Sequence, residues 1–526
     1  MKKPYYITTA IPYSSAIPHI GNVYEIILTD AIARFKRLDG FDVYFQTGTD
    51  EHGQKIAENA KSNGLDPQTY VDVISQEIRD IFDLMNISYD YFVRTTEKRH
   101  VEAVQQIFER LLEKGDIYLG HYEGWYSLSE EAFVSEKDLV DGKTPYGDTP
   151  IWMSEEAYFI KLSKYQERLV EHIKKNPNFI MPESRKNEMV KNFLEEPLLD
   201  ISITRTAFDW GIPTLTDPKH VAYVWIDALF NYITALGYRP DQEKTDEFNK
   251  YWPADLHVVG KDVMRFHVIF WPILLMALDL ELPKTIFGHP WVLINRNKMS
   301  KSTGNVMYTN ELVKYFGVDA VRYYCLHEIP YATDGNMTYE LIIERNNTDL
   351  ANTLGNLVNR TLGMIKKYRN GEVKKVIIDN NHSNNLQKEA LETLPRVRKL
   401  METYHVGDAL EEVMKLARSA NKYIDLMEPW NLFKDETKQD ELDSLLYHLI
   451  ETIRFLSVLI SPFLPETAQK IAEQINYVDI SFESLSKFGV YPSGKTGEAK
   501  PMFTRYNLDK KMEEILSDNN EKEWSK

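Results

Sequence analysis

The chain has 526 residues, 62 Lys and Arg against 79 Asp and Glu, and a formal net charge of −17, with 43% hydrophobic and 27% charged residues. That length calls for three or four structural units, and the composition excludes a disordered chain. The negative balance argues against broad, nonspecific nucleic-acid binding but leaves room for a local basic stripe, and with no run of about 18 apolar residues no membrane-spanning helix is expected.

The N-terminus, MKKPYYITT, lacks the apolar core of a signal peptide, so a cytoplasmic location is expected. A first strand is expected over Tyr5 to Thr9, followed by a Pro- and Ser-rich turn from Ile11 to Pro18. A helix is expected from about Gly21 to Leu38, with Ile26, Ile27, Ala31 and Phe35 near helical spacing and Gly40 as its stop. A second strand follows over Val43 to Gln46, and this order reads as a doubly wound parallel α/β sheet of Rossmann type. From about Gly120 to Asp200 the chain turns rich in Glu, Lys and short strand-like pieces, as an insertion between two halves of the sheet domain would. The α/β pattern resumes at His220, with strands expected at Leu256 to Val259 and Thr285 to Ile294 and a buried helix over Phe266 to Leu282. Helical periodicity then dominates: Asp349 to Lys366, Leu386 to Glu402, Ala409 to Met427 and Leu442 to Leu459 predict a helical bundle. The tail after Lys487 reads as turn-rich. The sole cysteine, Cys325, permits no disulfide within one chain and no cysteine-rich zinc site, and is expected to be a buried apolar side chain.

Pro18-His19-Ile20-Gly21-Asn22 follows the first strand and opens the first helix, where such sheets bind ligands and where free N–H groups meet phosphate. Gly21 leaves room for a base or ribose to approach the backbone, and His19 can donate to a phosphate oxygen. Late in the α/β region, Lys298-Met299-Ser300-Lys301-Ser302 places two lysines three apart in a Ser/Gly-rich loop, which reads either as a flexible surface loop or as a clamp suited to charge building on a leaving pyrophosphate. The pattern is unlike a Walker loop. The basic stripe Arg360, Lys366, Lys367, Arg369, Lys374 and Lys375, opposed only by Glu372, reads either as an RNA contact or as a solvated helix end and loop.

Together the two motifs resemble the HIGH and KMSKS signatures of class I aminoacyl-tRNA synthetases. The second is matched letter for letter. The first departs at Asn22, where a second histidine is usual; asparagine donates a hydrogen bond but carries no charge. Further segments resemble the methionine-specific branch, from Tyr5 to about Arg505.

The resemblance implies the following roles. In Thr47-Gly48-Thr49-Asp50-Glu51-His52-Gly53-Gln54, Asp50 faces the amino group of methionine, although the residues alone favour Asp50 as the cap of a helix beginning at Glu51. Arg205 sits beside Asp50 and holds it ionised. Trp225, Ala228, Leu229 and Tyr232 form an apolar wall for the thioether, with Ile11, Tyr13 and His267; the same spacing also fits an ordinary core face. Some members keep a proline where this chain has Leu229. Gly260 and Asp262 serve the ATP ribose. His19, Gly21, Asn22, Lys298 and Lys301 bind ATP, and His19, Asn22, Lys298 and Lys301 stabilise the transition state. Asn356, Arg360 and Trp430 read a CAU anticodon, with packing at a helix end as the alternative for Trp430.

The resemblance further implies ATP with Mg2+ as the substrate complex and methionine tRNA as partner. Many members hold a cysteine-bound zinc in the insertion, whereas Tyr126 to Phe133 carries no cysteine here, so no zinc and no other metal is expected. The chain ends soon after the bundle, and a monomer is expected. The expected segments are the first half of the catalytic domain (1–118), an inserted connective domain (119–203), the second catalytic half (204–296), the KMSKS and stem-contact region (297–340) and a helical anticodon-binding domain (341–526). A synthetase for Ile, Val or Leu would carry a large editing insertion, whereas only about 80 residues fill this one. A cysteine-specific enzyme would need zinc in its pocket. A tRNA-binding paralogue without catalysis is disfavoured by the two intact motifs, and a nucleotidyltransferase that never touches RNA by the helical bundle.

Overall fold

The structure is a computed structural model that describes residues 2–127, 132–134, 139, 142–144, 148–294, 296–299 and 306–524. By contacts the chain forms two compact units: 1–18 with 42–83 and 88–289, and 19–41 with 84–87 and 290–526.

The first unit is built on a six-stranded parallel sheet among the described residues, in the order Tyr91–Arg94, Asp42–Thr49, Pro4–Thr9, Leu256–Gly260, Ile286–His289, Ile180–Met181. Its central strands read as nearly unbroken apolar runs because both faces are covered: every residue of Leu256–Gly260 and of Ile286–His289 is buried. Ile7 pairs with Phe45 on one side and Leu256 on the other, so the strand order reverses at Pro4–Thr9. The crevice outside the carboxyl ends of Pro4–Thr9 and Leu256–Gly260 is the place where such sheets take ligands. Below it, Tyr6, Ile107, Ile233, Val259, Trp271 and Ile286 belong to one apolar core.

Two expectations for this unit need correction. Ile180–Met181, read as part of the insertion, pairs in parallel with Ile286–Phe287 as the edge strand of the main sheet. The span Thr285 to Ile294 is two strands, Ile286–His289 and Val292–Ile294, because Pro290 between them has no N–H to donate to a ladder. Among the described residues the inserted region contains a four-stranded antiparallel sheet in the order Ala132–Val134, Ile117–Ser127, Ile151–Ile160, Ile201–Ser202. The apolar run from Phe266 forms a π-helical turn, Phe266–Phe270, and a buried helix, Trp271–Ala277, that stops before Asp279 at φ 57°.

The second unit contains the first helix, Ile20–Leu38, a three-stranded sheet of Asn297–Lys298, Val292–Ile294 and Gly335–Asn336, and the helical bundle. The bundle helices are Asn356–Arg369, Asn381–Met401, Val406–Met427, Gln439–Ile460 and Pro465–Gln474. Gln439–Ile460 is its centre, buried from Leu442 to Ile460. The tail after Lys487 is more ordered than a turn-rich reading allows: the Glu451 carboxylate accepts from the N–H groups of Gly489, Val490 and Tyr491, and a helix spans Leu508–Trp524. Cys325 is fully buried, its thiol pushed up to about 12 by burial, as expected of an inert packing group. Arg322, also fully buried, donates to Asp30 Oδ2 at 2.7 Å, to the Phe463 carbonyl at 2.8 Å and to the Met85 carbonyl at 3.1 Å. No described helix is long and apolar enough to cross a membrane.

Candidate active site

In the first unit the chain leaves the first strand through Ala10, whose N–H bonds the Val258 carbonyl at 3.1 Å. Tyr13 and Asp50 then form an isolated parallel bridge, with the Asp50 N–H donating to the Pro12 carbonyl at 2.9 Å. The Ser14 hydroxyl donates to the Asp50 carbonyl at 2.7 Å. The structure thus brings Tyr13 and Asp50 together at a strand end, and Asp50 is buried at 6% exposure. It caps no helix: the next one is Gln54–Ser62, whose N-cap is Gly53 at φ 124°, a conformation that glycine tolerates and other residues rarely adopt. The capping alternative for Asp50 is therefore corrected.

Arg205, 2% exposed, donates to Ser202 Oγ at 2.9 Å and to the Thr204 carbonyl at 2.8 Å, with its guanidinium 3.9 Å over the Tyr223 ring. Such stacking suits a planar, weakly hydrated cation.

Two short helices, Val224–Leu229 and Asn231–Thr234, carry Trp225, Ala228, Leu229 and Tyr232. The Trp225 ring stacks flat on Phe266, centroids 3.3 Å apart at 8°. Tyr232 Oη lies 2.7 Å from His267 Nε2, and His267 Nδ1 lies 3.0 Å from the Val263 carbonyl. A carbonyl only accepts, so Nδ1 carries the proton and Nε2 accepts from the tyrosine. Burial pushes the His267 imidazole down to about 4. Its ordinary value in the unfolded chain is about 6.5. A depressed folded value gives stability that is complete above about 6.5 and is lost as pH falls toward 4, because the unfolded chain takes the proton first. The gap in unfolding midpoint between the native protein and His267→Gln should therefore shrink over that window, as chemical denaturation at stepped pH would show; a constant gap would refute it.

Gly260 ends the strand Leu256–Gly260, and a Cβ there would stand 2.6 Å from Asp262 Oδ1, so glycine is what lets the exposed Asp262 carboxylate fold over the strand end. Ile11 is half-buried on the first turn.

In the second unit His19 caps the helix Ile20–Leu38: its Nδ1 accepts from the Gly21 N–H at 3.1 Å, and Asn22 Oδ1 accepts from the His19 N–H at 3.3 Å. Because Nδ1 accepts, Nε2 holds the imidazole proton and is a donor for an anion. Asn22 thus has a capping task that needs an acceptor, which suits an amide. The Ile20 N–H donates to the Met307 carbonyl at 2.9 Å, and a Cβ on Gly21 would stand 3.6 Å from Met299 Sδ. The chain on both sides of the lysine segment therefore lies against the first helix's N-terminus. Lys298 is exposed, its Nζ 4.0 Å from the Trp291 ring. Lys301 lies outside the described residues, as do residues 300 and 302–305.

In the bundle, Asn356 opens its helix half-buried. Four residues on, Arg360 pairs with Asp425 at 3.0 Å, a largely exposed contact worth at most about 1 kcal/mol. Trp430 is 41% exposed on Pro429–Leu432. Phe433, 42% exposed and stacked on Tyr368 at 4.5 Å, adds an aromatic the sequence reading did not single out. The basic stripe is thinner than expected, since Arg369 is half-buried against Asp443 and the Gln439 carbonyl. Lys366, Lys367, Lys374 and Lys375 are exposed.

One grouping among the described residues has metal-ligand spacing: Glu156, Asp217 and His220, with ligand atoms within 4.8 Å of one another. Lys219 Nζ already stands 2.8 Å from Glu156 and 3.4 Å from Asp217, so the chain supplies its own cation there. Its hydrogen bond holds the Glu156 carboxyl below the usual range. A cysteine-bound zinc does not fit: the only cysteine is buried on Val318–Glu328, and residues 128–131 of the Tyr126 to Phe133 stretch lie outside the described residues.

A parallel sheet with a strand-order reversal, a helix start capped by its own histidine and a KMSKS sequence are together the features of a class I aminoacyl-tRNA synthetase. A family model described as "tRNA synthetases class I (M)" matches residues 5–149 and 144–362, and one described as "Anticodon binding domain of methionyl tRNA ligase" matches residues 378–505. A methionine–tRNA ligase of Clostridium acetobutylicum is 50% identical over 516 residues, 98% of this chain and 80% of that protein. The Bacillus subtilis methionine–tRNA ligase is 46% identical over 526 residues, 97% of this chain and 79% of that protein. The solved structure of Mycobacterium tuberculosis methionyl-tRNA synthetase with methionyl-adenylate aligns at a TM-score of 0.91 and 43% identity, covering 96% of this chain and 100% of that one. The chain belongs to the methionyl-tRNA synthetase family.

Proposed function

We propose that this chain activates L-methionine with ATP and transfers it to the 3′ end of a methionine tRNA, as its family membership implies. A methionine carboxylate oxygen attacks the α-phosphorus of ATP, the bond to the β-phosphate oxygen breaks, and pyrophosphate leaves with its electron pair. A terminal ribose hydroxyl of the tRNA then attacks the adenylate carbonyl and AMP leaves. No protein nucleophile is needed; rate comes from positioning and charge stabilisation.

In this reading Asp50, kept ionised by Arg205, takes the methionine ammonium. Trp225, Ala228, Leu229 and Tyr232, with Ile11, Tyr13 and His267, take the thioether. A neutral His267 that accepts from Tyr232 suits an apolar, polarizable ligand better than an imidazolium would. Phe266 joins this wall through its stack on Trp225. Gly260 and Asp262 hold the ribose. His19, through Nε2–H, Gly21 and Asn22 meet the phosphates, and Lys298 and Lys301 the leaving pyrophosphate, with Mg2+ entering as part of the ATP substrate. The observation that carries the reading is the N-terminus of Ile20–Leu38, capped by His19 and fastened at Ile20 to Met307, beside the lysine segment.

Asn356, Arg360 and Trp430 are proposed to read the CAU anticodon, with Arg360 leaving Asp425 to do so. Trp430→Ala should raise KM for tRNA about 5- to 150-fold, since one stacked base is worth about 1–3 kcal/mol, and leave tRNA-independent activation unchanged. Aminoacylation at varied tRNA, run beside exchange without tRNA, checks this; equal loss in both would refute it. The working unit is taken to be a single chain in the cytoplasm, which sedimentation would test.

The deciding experiment is ATP–pyrophosphate exchange without tRNA across the twenty amino acids. Exchange with methionine alone is expected. Exchange with a different amino acid would overturn the pocket, and none at all would overturn the activity.

A further inference from the structure

Behind the proposed methionine wall lies an ionic cluster that the reaction itself does not use. Asp227 is fully buried on Val224–Leu229, the same short helix that bears Trp225, Ala228 and Leu229. Its Oδ2 lies 2.6 Å from His52 Nδ1 and its Oδ1 lies 2.8 Å from His100 Nε2. Burial alone would push the Asp227 carboxyl up, but the His52 and His100 imidazoles outweigh it and hold the group below its ordinary value. His100 Nδ1 lies 2.7 Å from Thr234 Oγ, on the helix Asn231–Thr234 that carries Tyr232. His52 follows Asp50 by two residues, its ring packed 5.4 Å from Trp210. Trp210 in turn donates from Nε1 to the Glu51 carbonyl at 2.7 Å, and its backbone carbonyl accepts from the Gly53 N–H at 3.0 Å.

A carboxylate is expensive to bury, and a well-packed apolar cluster would serve stability equally well or better. What the ionic cluster provides is direction: a carboxylate with both oxygens committed fixes two imidazole rings, and through them two chain segments, at set angles. One segment presents Asp50. The other presents the apolar wall. We infer that Asp227, His52 and His100 are positioning residues that hold the ammonium-binding carboxylate at a fixed distance from the thioether wall, and so set the side-chain length the site accepts. This rests on the reading that Asp50 takes the ammonium and the Trp225 to Tyr232 wall takes the thioether. Asp227 is too deeply buried to touch a substrate.

The test is pyrophosphate exchange by the full chain with methionine, with homocysteine, which lacks the methyl group, and with ethionine, which is one methylene longer. Asp227→Asn keeps the shape but turns one carboxylate oxygen into an N–H donor facing an imidazole. It should raise KM for methionine by about 10-fold or more. KM for ATP should stay within about twofold. The preference for methionine over ethionine should narrow by about 5-fold or more. Thr234→Val, which removes only the hydroxyl that orients His100, should shift the same two quantities in the same direction by about 2- to 5-fold, and decides the matter if Asp227→Asn does not fold. A loss seen only as fewer active sites on titration, with KM for methionine and the ethionine ratio unmoved, would overturn the inference and leave the cluster a support for folding. Exchange by the native protein with another of the twenty standard amino acids in place of methionine would instead overturn the pocket reading on which the inference rests.

Discussion

Replacing Lys298 with alanine is expected to slow methionine-dependent pyrophosphate exchange by about 100-fold or more, while KM for methionine stays within about twofold. Lys298 lies on a two-residue strand, Asn297–Lys298, paired to Val292–Ile294, so its backbone is anchored while its side chain is exposed. At rest the ammonium lies over the Trp291 ring at 4.0 Å, an exposed contact worth about 0.5–1 kcal/mol and easily exchanged for a phosphate. Charge grows on the leaving pyrophosphate as the bond to the α-phosphorus breaks, and a cation that gains partners only then lowers the barrier without tightening the ground state. Lys298→Arg keeps the charge but spreads it over a planar fork, and should fall between the two. Exchange rates measured with methionine and ATP varied separately decide the point. A rise in KM for methionine equal to the loss of rate would assign Lys298 to the pocket instead.

Arg322→Ala is expected to cost the second unit about 3–5 kcal/mol, the usual penalty for breaking a buried ion pair from one side. Asp30, fully buried, would keep only Arg34 Nε at 2.8 Å of the two guanidinium contacts to its Oδ2. The Phe463 and Met85 carbonyls would each lose a donor. Replacing both partners with leucine should recover much of the loss, because the desolvation cost of the charges then vanishes with their attraction. Denaturant unfolding of the two single variants and the double variant measures this. A single variant that loses less than about 1 kcal/mol would show that water reaches the pair.

The readable parts of this chain are those whose signal is local. The helix Ile20–Leu38 announces itself through apolar spacing and a stop at Gly40, and the strands Pro4–Thr9 and Leu256–Gly260 through length and β-branching. Two residues cannot show alternation, so Ile180–Met181 was invisible as a sheet edge. The break at Pro290 was legible and was passed over, since apolar residues on both sides made one continuous run. The tail is held by Glu451, about 40 positions away, which no window of local sequence covers.

The candidate site divides in the same way. Motifs single out Asp50, Trp225 and Lys298 as candidates. The His52–Asp227–His100 cluster was not, because its members stand 175 and 127 positions apart and each alone looks like an ordinary polar residue. Phe266 was hidden at the start of a run read as one buried helix, although its ring stacks on Trp225. The capping task of Asn22 shows the opposite case: a departure from a familiar motif that local helix chemistry explains.

The second unit has a temporal side. Asp30 and Arg322, which join its first helix to the rest, are 292 positions apart. At about 5–20 residues per second, a ribosome needs roughly 15–60 s between making one and making the other. Through that interval the helix Ile20–Leu38, with Val23, Ile27 and Phe35 among its apolar residues, has emerged without the surface that will cover it. That helix thus precedes by 292 positions the arginine that anchors it, and its apolar residues stay open to other contacts until then.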